Sequence, residues 1–151
     1  MLYLVKFSAA SSYSNLFLAG QDSGIPRNHE LFTQKLQRCG YATHLVGKWH
    51  CGHGHDWMRP ENRGFDSFFG YLQGAEDHYT RIQLQRKDWY GVDFSDGGKP
   101  SNATWGHYGS DLYSKKVQEV LDKQTGPFFL YYSMQNVHYP LQVGYFVLFY
   151  K

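Results

Sequence analysis

The stretch that decides the fold is Gly40-Tyr41-Ala42-Thr43-His44-Leu45-Val46-Gly47-Lys48-Trp49-His50. Its apolar and β-branched side chains predict a buried strand over residues 41–46. The strand pattern stops at Gly47, and a cation, Lys48, and an imidazole, His50, follow it. Because ligands of open α/β sheets bind beyond the carboxyl ends of the strands, we expect Lys48 and His50 to lie at such an edge.

A helix followed by a strand occurs twice along the chain. In the first unit, a helical pattern over residues 31–39 ends at Gly40 and precedes the strand at 41–46. In the second unit, Ser110 is the expected N-cap of a helix that precedes a strand at 128–134. Both strands are almost continuously apolar, which is typical of strands covered on two faces. The sequence therefore favours an α/β fold with a parallel sheet.

A titratable residue also follows the second strand, in Gln135-Asn136-Val137-His138-Tyr139-Pro140. If the strands are parallel, Lys48, His50 and His138 meet at one edge of the sheet. Lysine can neutralise a tetrahedral oxyanion, and histidines can transfer protons near neutral pH, so a phosphate or sulfate ester is the expected substrate. The alternatives are a solvated Lys48 and a His138 that only bonds a carbonyl group. His44, inside the strand, is expected to pack in the core.

Composition and charge exclude several classes of protein. The 151 residues are 42% hydrophobic and 19% aromatic, which suits one globular domain. The formal charge is +2 without a polybasic block, so no nucleic-acid partner is predicted. Neither a signal peptide nor a run of about 18–20 apolar residues for a membrane span is predicted. Asn102-Ala103-Thr104 matches a glycosylation acceptor.

The segment His50-Cys51-Gly52-His53-Gly54-His55 allows a different chemistry, because imidazoles and a thiol can bind zinc or copper. No Cys-x-x-Cys pair accompanies it, so a glycine-rich loop is preferred and no residue is assigned to a metal. Cys39 and Cys51 flank the predicted strand, whose length of about 20 Å exceeds the roughly 7 Å between Cα atoms that a disulfide allows. We expect both to be thiols.

Several blocks in the same order resemble the sulfatases, in particular arylsulfatase B and its relatives. They are Gly40 to His50, Arg63-Gly64-Phe65-Asp66, Phe69-Gly70-Tyr71-Leu72, Glu76-Asp77, and Pro127 to Val143. The resemblance implies an alkaline-phosphatase-like α/β domain with a mixed, mainly parallel sheet flanked by helices. Residues 24–143 would form an incomplete catalytic domain, with non-matching segments at 1–23 and 144–151.

The resemblance also implies an activity: hydrolysis of aryl or glycosaminoglycan sulfate esters in a lysosomal or secreted enzyme. By matching motifs, Lys48 would bind a sulfate oxygen and steady the nucleophile. His50 would help the sulfated hemiacetal collapse, and His138 would contact sulfate and aid the leaving oxygen.

The chain departs from the family pattern at two cofactors, formylglycine and calcium. Neither Cys39 nor Cys51 begins the Cys/Ser-x-Pro-x-Arg motif from which formylglycine is made, and no Asp-Asp or Asp-Asn dipeptide supplies the expected calcium ligands. An alternative function is therefore a catalytically inactive, sulfatase-like chain that binds an anion, a metal or a protein partner.

Overall fold

A computed structural model describes residues 22–83, 91–102 and 104–144 of the chain. Its described part contains two α-helices, two single 3₁₀ turns and one sheet of five strands. The helices are α1 (Phe32–Arg38) and α2 (Gly109–Asp122), and the 3₁₀ turns are Asp56–Met58 and Pro60–Asn62. The strands are β1 (Ala42–Lys48), β2 (Ser67–Tyr71), β3 (Ser95–Asp96), β4 (Lys99–Pro100) and β5 (Phe128–Ser133).

The sheet is mixed and mainly parallel, as the sequence predicted. Its strand order is β4-β3-β2-β1-β5, with β1 parallel to both β2 and β5. The two short strands β3 and β4 run antiparallel at the other side. The two helix-strand units thus place their strands side by side, and the carboxyl ends of β1 and β5 lie at the same edge.

Helices cover the sheet on two faces, with a hydrophobic cluster under each. The alternation of side chains along β1 explains this, because neighbouring residues of a strand point to opposite faces. On the face of α1 the buried cluster is Leu45, Trp49, Phe65 and Phe68, and Phe129 of β5 packs against it. On the face of α2 the buried cluster is Val46, Tyr71, Phe94 and Tyr113.

A row of small residues crosses the sheet where β1 ends. In register they are Ser133 of β5, Gly47 of β1, Gly70 of β2 and Ser95 of β3. A Cβ atom on Gly47 would lie 2.0 Å from the carbonyl oxygen of Ser133, and one on Gly70 would lie 1.9 Å from that of Gly47. Gly47 also has φ +101°, a conformation that favours glycine. Only glycine therefore permits this approach of the strands.

Helix and strand boundaries differ from the predictions by a few residues. β1 extends to Lys48, so this lysine is the last strand residue instead of following the strand. α2 begins at Gly109 with Tyr108 as N-cap. The prediction of Ser110 as N-cap was wrong, because its hydroxyl group donates to Asn136 Oδ1 instead of capping the helix.

The expectation that both strands are covered on two faces holds for β1 but is wrong for β5. In the described part of the chain, β5 is the last strand of the sheet and pairs only with β1. Two of its four aromatic side chains are exposed, Phe128 by 38% and Tyr131 by 45%, whereas Phe129 and Tyr132 are half-buried. Cys39 and Cys51 are both free thiols, as expected. Among the described residues, no helix has the length and apolar character that crossing a membrane requires.

The close approach at Gly47 predicts a large effect of a small substitution. Gly47→Ala should lower the free energy of unfolding by about 3 kcal/mol, because the methyl group forces β1 and β5 apart and φ is strained. Urea denaturation measures this. The control is Gly126→Ala, since no atom lies within 4 Å of a Cβ there. Equal stability of the two variants would contradict the proposed packing constraint.

Candidate active site

Lys48 and His50 lie where β1 leaves the sheet. Beyond the strand, Trp49 and His50 still donate backbone hydrogen bonds to β2 and its extension, at 2.9 Å to Tyr71 O and 3.1 Å to Leu72 O. His50 then adopts φ +52°, an uncommon value for a residue other than glycine, which turns the chain away from the sheet. Lys48 is half-buried, and this burial lowers the pKa of its ammonium group.

His138 is held in an exposed loop that follows β5. Its backbone N–H donates to Gln135 O at 3.1 Å, which closes a turn. Its Nδ1 lies 2.9 Å from Tyr139 O. Because a carbonyl oxygen only accepts, Nδ1 carries the proton, and in the neutral ring Nε2 is the free acceptor. The loop of His138 follows β5 at the carboxyl end that β1 and β5 share, and the ring is exposed.

The loop of His138 is tied to a segment that follows β2. The amide of Gln142 accepts from the backbone N–H of His78 at 2.7 Å and donates to Asp77 Oδ2 at 2.7 Å. Tyr108 Oη adds a bond of 2.9 Å to Gln142 O. The side chain of Gln135 donates to Glu76 O at 3.3 Å. Both ends of the loop are therefore fixed by side chains distant in sequence.

A buried polar cluster underlies these anchors. Arg81 and Glu76 form a fully buried ion pair with 3.8 Å between Nη1 and Oε1, and the hydroxyl of Tyr113 donates to the same carboxylate oxygen. Burial raises the pKa of Glu76 well above its ordinary value. His78 is also buried and stacks on Tyr108, with 5.5 Å between ring centroids. Its pKa is lowered by burial first, and also by the positive charges of Arg81 and His138.

Sequence patterns did not identify this cluster as part of the site. The one available signal was the Glu76-Asp77 pair, which contributed to the family resemblance without an assigned role. The partners of this segment lie 37 to 65 residues away in the sequence. No local periodicity can predict contacts of that kind.

His44 lies inside the sheet but is only half-buried and belongs to neither hydrophobic cluster. Its Nδ1 lies 2.7 Å from Ser67 Oγ of β2, inside the sheet and away from the carboxyl edge. In the histidine-rich segment after His50, two side chains have other partners. Cys51 donates its thiol to Trp49 O at 3.2 Å, and burial raises its pKa to about 12. His55 instead pairs with Asp22 at 2.8 Å.

A family model described as Sulfatase matches residues 4–146. The chain belongs to the sulfatase family. The match begins before and ends after the segment 24–143 that the motifs delimited, and those two boundaries stay predictions. Solved structures with a similar fold agree with the alkaline-phosphatase-like α/β class.

Curated relatives of this sulfatase chain are arylsulfatases and sugar sulfatases. Arylsulfatase J of Mus musculus is 39% identical over 128 residues, which cover 81% of this chain and 21% of that protein. N-acetylgalactosamine-6-sulfatase of Homo sapiens is 29% identical over 146 residues, covering 92% of this chain and 27% of that protein. The chain thus spans less than a third of the length of either relative.

Solved structures give the same result for the fold. The crystal structure of Ps i-CgsB superimposes with a TM-score of 0.73 at 28% identity, over 86% of this chain and 31% of that one. Its complex with k-i-k-neocarrahexaose gives a TM-score of 0.71 at the same identity and coverage.

The two cofactors that the sulfatase family implies do not fit the described residues. In the segments 22–83, 91–102 and 104–144, no three His, Cys, Asp or Glu side chains come together to hold a metal ion. The two thiols are not in the motif that gives formylglycine, and that of Cys51 is half-buried.

Asp93 fixes the exit of β2 beside this edge and provides a pH-dependent test. Its carboxylate accepts from the backbone N–H groups of Leu72 at 3.0 Å and Gln73 at 2.8 Å. Burial nevertheless raises its pKa from 3.8 to about 6, against the lowering effect of these two bonds. The folded protein thus holds this proton more tightly than the unfolded chain.

We expect the contribution of Asp93 to stability to be complete below about pH 4 and to disappear as the pH rises through 6. Relative to Asp93→Asn, the wild type should lose on the order of 2–3 kcal/mol of unfolding free energy across this range. Urea denaturation at a series of pH values measures the difference, and carboxyl-detected NMR follows the titration itself. A stability difference that stays constant from pH 4 to pH 7 would show that Asp93 ionises normally.

Proposed function

We propose that this chain carries the sulfate-binding edge of a sulfuric ester hydrolase of the arylsulfatase type. The observation that carries the proposal is the adjacency of β1 and β5 in parallel, with Gly47 in register with Ser133. Lys48 follows Gly47 directly, and the loop of His138 begins after Ser133. A cation and two imidazoles are thereby available to one tetrahedral anion, within a family whose relatives carry the name sulfatase.

Each residue has a role that its surroundings support. Lys48 binds a sulfate oxygen; its partial burial strengthens this interaction, because the charge is less screened than in water. His138 offers Nε2 to the substrate, because Nδ1 is used by Tyr139 O. The protonated ring can donate to sulfate or to a leaving oxygen. His50 is held against β2 and supplies a second imidazole for proton transfer.

The substrate class follows from the names of the relatives. N-acetylgalactosamine-6-sulfatase is named for a sulfated amino sugar, and Ps i-CgsB was crystallised with a neocarrahexaose. We infer that the ester is borne by a sugar of the glycosaminoglycan type or by a small aryl group. A lysosomal or secreted location is consistent with Asn102, which is exposed and begins the Asn-x-Thr acceptor for glycosylation.

A second candidate function is anion binding without turnover. It is favoured by the absence of a Cys/Ser-x-Pro-x-Arg motif from the 151 residues and by the lack of a metal-binding group in their described part. The full sulfatase activity would need a nucleophile and a calcium site supplied outside these residues. The same three side chains would bind the sulfate group in either case.

The 151-residue chain should therefore show no hydrolysis of 4-nitrophenyl sulfate above the buffer rate. No cysteine or serine in it can become the required aldehyde. The measurement is release of nitrophenolate at high protein concentration, with an active arylsulfatase as positive control. Turnover that co-purifies with the chain and disappears in Lys48→Ala would show that a different nucleophile operates here.

Binding tests the assignment of residues independently of turnover. On titration with N-acetylgalactosamine 6-sulfate, the imidazole NMR signals of His50 and His138 should shift together and saturate. Lys48→Ala should weaken this binding by about thirtyfold to a thousandfold, the equivalent of about 2–4 kcal/mol for a preorganised charged donor. Lys115→Ala is the matched control, because it removes an exposed lysine from α2. Unchanged affinity in Lys48→Ala would remove this lysine from the site.

A further inference from the structure

A cavity lies on the face of the sheet that α1 covers. Its volume is about 410 Å³, within the range of roughly 300–1,000 Å³ that small-molecule sites occupy. It opens between α1 and the segment that connects β1 to β2. Its described lining residues are Arg27, Gln34, Asp56, Trp57, Asn62 and Arg63, and none of Lys48, His50 and His138 is among them.

Arg63 is a buried cation without a carboxylate partner in the described part of the chain. Its side chain is 2% exposed, and Nη2 donates to two carbonyl oxygens, at 2.8 Å to His29 and 3.3 Å to Pro26. Its Nε has no acceptor among the described residues. A buried charge that is not paired is unfavourable. An anion in the cavity would supply the missing partner.

The other charged residues of the described lining do not neutralise Arg63. The one carboxylate among the described lining residues, Asp56, pairs with Arg59 at 3.6 Å instead of with Arg63. Arg27 adds a second guanidinium group, which is exposed. The cavity thus presents two guanidinium groups to a ligand, and hydrogen bonds from such charged donors to the oxygens of a sulfate or carboxylate group are strong.

Trp57 gives the cavity an aromatic wall. Its half-buried indole has the Arg63 guanidinium carbon 5.9 Å from its centroid and stacks with His55 at 6.2 Å. The neighbouring amides each keep one polar group for a ligand: Gln34 accepts from Leu31 N–H through Oε1, and Asn62 donates to Asp56 O through Nδ2. Their Nε2 and Oδ1 atoms can then bond to hydroxyl groups.

We propose that this cavity is an accessory site for an anionic sugar, separate from the edge that holds Lys48. Arg63 and Arg27 would bind its sulfate group, Trp57 would pack against the apolar face of the ring, and the two amides would bond to hydroxyl groups. The choice of a sulfated sugar rests on the proposed function, whereas the anion and the aromatic wall rest on the cavity alone. Such a site would hold a further residue of a sulfated oligosaccharide.

The test uses the whole chain and follows the indole N–H signal of Trp57 by NMR. On titration with N-acetylgalactosamine 6-sulfate we expect this signal to shift and saturate. Arg27→Gln and Trp57→Leu should each weaken the binding by about tenfold, as loss of a charged hydrogen bond or of an aromatic contact does. Trp57→Leu is followed through the backbone signals of Arg63 and Gly64. Lys115→Gln, an exposed lysine of α2, is the charge-matched control and should have no effect.

Two further measurements distinguish binding in this cavity from binding at the edge that holds Lys48. Lys48→Ala should leave the Trp57 response unchanged, and loss of that response would show that the two sites are one. N-acetylgalactosamine and inorganic sulfate should each bind at least tenfold more weakly than the sulfated sugar. Equal binding of inorganic sulfate, or no saturable shift of Trp57, would overturn the proposal, even if His50 and His138 respond normally.

Discussion

The close approach of β1 to its two parallel neighbours at Gly47 is the constraint on which the candidate site depends. A side chain at Gly47 would collide with Ser133 of β5, and one at Gly70 would collide with Gly47 itself. Without this row of small residues, the three strands could not end together. Lys48 comes one position after the row, and the loop of His138 begins at the same level. The position of the cation relative to the imidazole is thus a property of backbone packing.

Polar groups, instead of apolar packing, hold the loop of His138 at this edge. Glu76 and Arg81 are buried together, and Gln135 and Gln142 link their segment to the loop of His138. A loop held only by apolar contacts could adopt several conformations of similar energy. Hydrogen bonds with defined directions fix one conformation, because each unmade buried bond carries a desolvation penalty. These bonds hold both ends of the exposed loop that contains His138.

β1 and β5 could be predicted from the sequence, because each is an almost continuous apolar run that follows a helical pattern. β3 and β4 could not, because strands of two residues carry no pattern. That Lys48 and His138 share one edge was inferred from position alone, once the strands were taken as parallel, and the convergence of their side chains stays a prediction. The anchors at Asp77 and His78 could not be predicted, since their partners lie more than 60 residues away. The exposure of β5 was missed for another reason: an apolar strand pattern cannot distinguish an inner strand from an outer one.

The outer position of β5 has a consequence for the dynamics of the edge. Lys48 belongs to a strand that is hydrogen-bonded on both sides, whereas the loop of His138 follows a strand that is bonded on one side in the described part of the chain. Segments with fewer buried contacts open with a smaller free energy than the core. Opening of β5 would withdraw the imidazole while the lysine stays in place. The affinity of the edge for an anion would then decline on warming before the protein unfolds, with amide exchange fastest along β5.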